Sequence, residues 1–317
     1  MLTRREALGA AALLGRLRMA YAKASQPATA VNFAIPSGAC DCHTHIFGDP
    51  ARFPMWAGRT YTPELALPDE MTALHRALHM ERVVIVTPSI YGTDNRATLE
   101  GMRVRGKSAR GVAVIDDQTP ESALDAMDRA GVRGIRLNLV NAGVSDPAAA
   151  RQRLQSAAAR VRRLQWHVQL LTTPTVIAAI KGAVLDTPVP VVFDHFGGAL
   201  AAGGVEQPGF AEMVELVGSG KAYVKISAAY RASTRADYAD VAPLAKALIA
   251  ANADRVIWGS DWPHPDSAPV PGRQATDLAP LLQVDDGRAL NLLPTWTNDT
   301  AMRRKILVEN PVRLYGF

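Results

Sequence analysis

The sequence predicts an α/β chain folded as a single (β/α)8 barrel, and three observations carry that expectation. Eight short apolar runs recur along the chain, amphipathic stretches separate them, and no phosphate-binding glycine turn follows the first run. The runs are Ala39–His45, Arg82–Thr87, Gly111–Ile115, Gly134–Leu139, His167–Leu171, Val189–Asp194, Ala222–Ile226 and Arg255–Trp258. Helices are expected over Asp69–Met80, Asn95–Gly106, Pro120–Ala130, Asp146–Leu164, Pro174–Leu185, Pro208–Ser219 and Tyr238–Asn252. In the first of these, Met71, Leu74 and Leu78 fall at helical spacing. Pro120 and Pro147, near two helix starts, suit the first turn, where a missing N–H costs nothing. Strand then helix, repeated, argues for a parallel sheet, and eight units argue for closure. A doubly wound open sheet is the competing fold, and it would carry a Gly-rich turn after its first strand. That position holds Asp41-Cys42-His43-Thr44-His45-Ile46-Phe47-Gly48 instead. The segment Pro263–Trp296, rich in Pro, Asp and Gly, is expected to loop over the barrel mouth before a last helix near Asp299–Val308.

Length and composition suit one such barrel, because 317 residues, 48% of them hydrophobic, give ample core. The formal charge is +5, but Arg4, Arg5, Arg16 and Arg18 against Glu6 supply most of it, and the rest of the chain is close to +2. Nucleic-acid binding thereby loses its electrostatic argument. No run of about 18 apolar residues is present, so a membrane span is not expected. Residues 1–22 read as a leader: Thr3-Arg4-Arg5-Glu6-Ala7-Leu8 looks like a twin-arginine export motif and Ala20-Tyr21-Ala22 is a cleavage candidate. A cytosolic tail is the competing reading, so the location is periplasmic if the leader works and cytoplasmic otherwise. Residues 23–38 then form a linker, and the barrel occupies 39–317. The two cysteines, Cys40 and Cys42, stand two apart on a strand, which suits a disulfide poorly; they are expected to pack outward from it.

Period-2 alternation puts Asp41, His43 and His45 on the other face, toward the barrel interior. Two imidazoles at the C-terminal end of the first strand can bind a divalent ion or face a reacting carbonyl, because active sites of such barrels sit at that end. Asp261, in Trp258-Gly259-Ser260-Asp261-Trp262-Pro263-His264, follows the eighth run directly and can ligate a metal or take a proton from water. His264, in the same motif, is expected to line the loop. His195, in Asp194-His195-Phe196-Gly197, supplies a third imidazole, with Asp194 turned outward or orienting a neighbour. On the fourth strand Arg136 and Asn138 alternate with Ile135, Leu137 and Leu139 and should face the interior. A buried Arg needs an anion, either a substrate carboxylate or a protein group such as Asp41. Arg231, after the seventh run, is a further anion-binding candidate.

These motifs in order, DCHTHIFG, RTYTP (Arg59–Pro63), TDNR (Thr93–Arg96), GVRGIRLN (Gly131–Asn138), DHFGG, GSDWPHP and NPVRLYGF (Asn310–Phe317), resemble the amidohydrolase superfamily, in its branch of pyrone-dicarboxylate-type lactonases. The resemblance runs from about Ala39 to Phe317. It implies the barrel, lactone hydrolysis, a site at His43, His45, His195 and Asp261, and substrate contacts from Tyr61, Ser89, Arg136 and Arg231. Members of that branch bind zinc or work without metal, so the expected cofactor is one Zn2+ or other divalent ion on those four residues, or none. The branch carries a further substrate Arg shortly after the fourth strand, where this chain has Asn141-Ala142-Gly143. The expected chemistry is water attack on a lactone carbonyl with Asp261 as base; a metal-dependent decarboxylase and a non-catalytic small-molecule binding protein are the alternatives. The expected partner is a small-molecule substrate, with homo-oligomerisation left open.

Overall fold

The computed structural model describes residues 24–268 and 270–317. Eight strands form one sheet: β1 (Cys40–Thr44), β2 (Arg82–Val86), β3 (Ala109–Ala113), β4 (Val132–Asn138), β5 (His167–Leu171), β6 (Val191–Phe193), β7 (Ala222–Ser227) and β8 (Val256–Gly259). Each pairs in parallel with the next in sequence. Just past β8 the ring is drawn shut, because Asp261 N donates to His43 O (2.9 Å) and His45 N to Trp262 O (2.8 Å). The strands are short and rich in Val and Ile because helices cover their outer face. Four of these are α1 (Pro68–Ala77), α2 (Arg96–Arg105), α3 (Glu121–Arg129) and α4 (Pro147–Val161). Pro147 opens α4, with Asp146 accepting from Ala148 N and Ala149 N, while Pro120 sits one residue outside α3.

Two apolar clusters divide the core. The outer one lies between strands and helices and includes Met71, Leu74, Val83 and Ile85. The inner one fills the barrel with Cys40, Cys42, Val84, Val86, Val112, Val192, Tyr223 and Ile257, and Tyr315 of the last helix joins it. The cysteines therefore face inward, against expectation. Asp41 between them faces away, accepting from Ser260 Oγ (2.6 Å) and, with the same oxygen, from His75 Nε2 of α1 (3.2 Å). A register shift in the β1–β2 pairing between Asp41 and Thr44 breaks the period, so that His43 and His45 still reach the interior.

Two further expectations change in detail. The stretch Pro174–Leu185 is two helices, Pro174–Ala179 and Lys181–Asp186. The segment after β8 is more than a loop: Leu278–Ala279 pairs with Thr62–Pro63, and short helices cover Asp286–Leu290 and Leu293–Trp296. Residues before β1 lie along that segment, where Thr29 Oγ1 donates to Asp285 Oδ2 (2.5 Å) and Asn32 N to Asn291 Oδ1 (2.9 Å). The leader expected over 1–22 lies outside the described residues. No helix among the described residues is long and apolar enough to cross a membrane.

Candidate active site

The C-terminal mouth collects the four expected residues from three places in the chain. His43 and His45 come from β1 and the residue after it, His195 from the turn after β6, and Asp261 from the turn after β8. Both turn residues sit in the left-handed region, with φ of 49° at His195 and 69° at Asp261. That conformation is unfavourable for such side chains, and its use here aims both of them back over the barrel axis. Asp261 Oδ1 is the meeting point: it lies 3.5 Å from His43 Nε2, 3.5 Å from His45 Nε2 and 3.6 Å from His195 Nε2. His43 Nε2 and His45 Nε2 are 3.3 Å apart. All four side chains are buried.

The opposite edge of each ring is fixed by a partner. His45 Nδ1 lies 2.7 Å from Val86 O. A carbonyl only accepts, so Nδ1 carries a proton and Nε2 is the nitrogen turned toward Asp261. His195 Nδ1 meets Ser227 Oγ at 2.8 Å. His43 Nδ1 stands 3.2 Å from Asp194 Oδ1 and 3.1 Å from Lys225 Nζ. Burial holds His195 down to about 4 and His43 well below the ordinary histidine range, so both rings are neutral near pH 7. Asp261 is held well below the carboxylate range: burial would raise it, but His195 and Arg231 more than offset that. Its second oxygen, Oδ2, accepts from Tyr230 OH (2.6 Å) and Arg231 Nε (2.7 Å), leaving Oδ1 for the histidines.

Below this ring lies a polar layer that the sequence reading missed in part. Asp194 turns inward, the orienting alternative. Its Oδ2 accepts from Arg136 Nε (3.1 Å) and Gln169 Nε2 (2.9 Å), and Lys225 Nζ is 3.3 Å from its Oδ1. Arg136 therefore finds its protein anion in Asp194 rather than Asp41. Lys225 also donates to Gln169 Oε1 (2.7 Å) and has no exposed surface. Gln169 and Lys225 are polar residues at inward positions of HVQLL and AYVKIS, which is the signal that finds them. His264 lies apart from the ring, paired with Asp286 Oδ2 at 2.9 Å.

A cavity of about 690 Å³ opens beside the ring, on the β2–β4 side of the mouth. Arg136, Asn138 and Ser89 line it, so these expected substrate contacts share one space. Tyr61 is buried next to it, with a hydrogen bond to Ser89 and the charges of Arg231, Arg136 and Asp261 acting on its hydroxyl; burial pushes that hydroxyl up to about 12. Arg231 faces the ring rather than this cavity, held by Asp261.

His43, His195 and Asp261 each bring a donor atom within 4.8 Å of the others, and His45 Nε2 adjoins them. Ligands about 2.0–2.1 Å from one zinc at tetrahedral angles stand roughly 3.3 Å apart. The His43–His45 spacing of 3.3 Å and the three spacings to Asp261 Oδ1, 3.5 to 3.6 Å, fall close to that value. Lone pairs aimed at one buried point repel unless a cation or proton sits among them. The donor set thus fits one divalent ion.

A closed parallel barrel with three imidazoles and a carboxylate at its C-terminal mouth defines an amidohydrolase-type site. Residues 40–317 match the family described as Amidohydrolase, and the chain belongs to that family. It is 32% identical over 287 residues to a 4-sulfomuconolactone hydrolase of Rhizobium radiobacter, covering 90% of this chain and 92% of that one. It is 32% identical over 305 residues to a 2-pyrone-4,6-dicarboxylate hydrolase of Comamonas testosteroni, covering 93% and 94%. A solved structure from Pseudomonas putida, described as a 2-pyrone-4,6-dicarboxylic acid hydrolase, superposes with a TM-score of 0.72 at 30% identity, covering 89% and 98%.

Proposed function

We propose that this chain hydrolyses a lactone carrying an anionic group, with Asp261 as the base. The observation that carries the reading is Asp261 Oδ1, shared by three imidazoles within 3.6 Å and left free by the hold of Arg231 and Tyr230 on Oδ2. The names of the two curated relatives, both hydrolases of anionic lactones, support the substrate class.

In this reading Asp261 Oδ1 takes a proton from a water directed at the lactone carbonyl. The new C–O bond forms, the ring C–O bond breaks, and the departing oxygen takes the proton back from Asp261. His43, His45 and His195 hold the reacting oxygens in place, and Arg136 and Tyr61, beside the cavity, place the substrate's anion so that the carbonyl meets the water. A divalent ion, zinc by donor type, would be held by His43, His45, His195 and Asp261, and would supply Lewis-acid polarisation. The barrel of 39–317 is the catalytic unit, and the leader of 1–22 sends it to the periplasm; sequencing the mature N-terminus checks that.

The test is acid release, followed with a pH indicator, from a panel of anionic and neutral lactones, using metal-stripped and zinc-reloaded enzyme. Anionic lactones should be opened, and Asp261→Asn should slow turnover by about 100-fold or more while substrate binding persists. Acid release from no lactone in either metal state would overturn the reading.

A further inference from the structure

The cavity beside the ring is lined not only by Arg136, Asn138 and Ser89 but also by Trp56, Arg59 and Arg153. Trp56 lines it and is 54% exposed, whereas Trp166, Trp258, Trp262 and Trp296 are each 5% exposed or less. The indole is seated on backbone that has no room for a side chain. A Cβ on Gly58 would stand 2.6 Å from it and one on Gly92 3.1 Å. The loop itself is tied down, since Trp56 N donates to Ile90 O (2.7 Å). Arg59 is anchored to the same loop, its Nη1 giving to Trp56 O (3.1 Å) and its Nε to Thr62 Oγ1 (2.7 Å). Arg153, from α4, lines the same cavity. Neither Arg59 nor Arg153 has a carboxylate partner among the described residues. The two carboxylates on the wall do not answer them: Asp94 is held by Arg96 (2.6 Å), and Asp116 accepts from Thr119 Oγ1 (2.9 Å) and Gln118 N (3.1 Å). An aromatic face in one cavity with two guanidinium groups that lack a carboxylate among the described residues suits a flat, conjugated anion, which a rigid aromatic ring binds with little ordering cost.

We infer that Trp56, Arg59 and Arg153 form an outer subsite for a planar, conjugated part of the substrate whose acid group lies away from the reacting carbonyl. The inference rests on the lactone-opening reading for its reacting end only. Trp56 stacks on the conjugated portion, and the two guanidinium groups take the remote acid, so this wall decides which anionic lactones are accepted.

The test uses stable probes, so turnover plays no part in it. The full chain is titrated by calorimetry with benzene-1,3-dicarboxylate, benzoate and cyclohexane-1,3-dicarboxylate, and quenching of the exposed tryptophan is followed alongside. The flat dicarboxylate should bind at least tenfold tighter than either comparison compound, and its binding should quench emission that Trp56→Phe removes. Arg59→Met and Arg153→Met should each erase most of the advantage over benzoate, Arg153→Lys should keep part of it, and Asp261→Asn should leave it intact. An undiminished advantage in both Met variants, or equal binding of the flat and puckered dicarboxylates, would overturn the subsite. Probe binding in an enzyme that opens no lactone would sink the catalytic reading and leave the subsite standing.

Discussion

Lys225 carries an ammonium group with no exposed surface, 3.3 Å from Asp194 Oδ1 and 3.1 Å from His43 Nδ1. Burial pulls its pKa down, and Asp194 acts against that pull. Asp194 itself is one carboxylate shared among Lys225, Arg136 and His43: burial would raise it, and these neighbours hold it well below the carboxylate range. Removing one partner from a buried pair strands the other charge, a loss of about 3–5 kcal/mol. Because Arg136 still serves Asp194, Lys225→Met should fall near the lower end, about 3 kcal/mol, read as a lower urea midpoint at constant slope. Lys225→Met combined with Asp194→Asn should cost less than the sum of the singles, because the two partners leave together and only Arg136 then lacks its carboxylate, as it already does in Asp194→Asn alone. Strict additivity, or a neutral Lys225→Met, would mean that the pair does not organise this layer. Of the ring, His43 and His45 were legible in the sequence as the closing residues of the first apolar run, and His195 and Asp261 as residues just past the ends of the sixth and eighth. Lys225 and Gln169 were not read, because a single polar residue inside an apolar strand resembles noise until the strand's inward face is known.

Among the elements, β1 decides most. Its eight-strand setting was legible, since each of the eight apolar runs became a strand with shifted ends. Its facing was not, because simple alternation assumes an unbroken pleat and the register shift between Asp41 and Thr44 inserts a phase change. Such a shift follows from how β1 fits between its neighbours, which no local pattern records. The fit on one side depends on Gly259 of β8. A Cβ there would stand 2.8 Å from both His43 Cβ and His43 N. Backbone cannot yield as a flexible side chain does, so Gly259→Ala should push β1 away where Asp261 N bonds His43 O. The expected loss of stability is about 1–3 kcal/mol, as for other overpacked cores. The loss of turnover should be larger, about 100-fold, because the ring depends on placement within roughly 1 Å. Comparing kcat with thermal unfolding of the same variant separates the two. A variant that loses stability but keeps kcat would show that the β1–β8 contact only supports the fold.

At the scale of the molecule, the barrel is polar at its mouth and apolar at its floor, with the Asp194–Lys225 layer between. His167 marks the floor: it is buried on β5, its ring edge-on to Tyr315 at 5.2 Å and crowded against Gly134, where a Cβ would lie 2.2 Å from the ring. Burial, helped by the charge of Lys225, holds it down to about 3. An unfolded chain would protonate the same histidine near pH 6.5. Between those two values the unfolded state binds a proton that the folded barrel refuses, so stability rises with pH across this window and is lost as pH falls through it. One such group contributes a slope of about 1.4 kcal/mol per pH unit. His195, held to about 4, adds to the slope in the same direction over most of the window. His167→Gln, close in size and without a titrating group, should flatten the slope of unfolding free energy between pH 4.5 and 6 by about 1.4 kcal/mol per unit. The slope is the quantity to read, since the amide's own burial shifts stability equally at every pH. Urea unfolding at several pH values gives it directly. An unchanged slope would mean that His167 takes up its proton inside the folded barrel, and that the floor is wetter than its packing against Tyr315 implies.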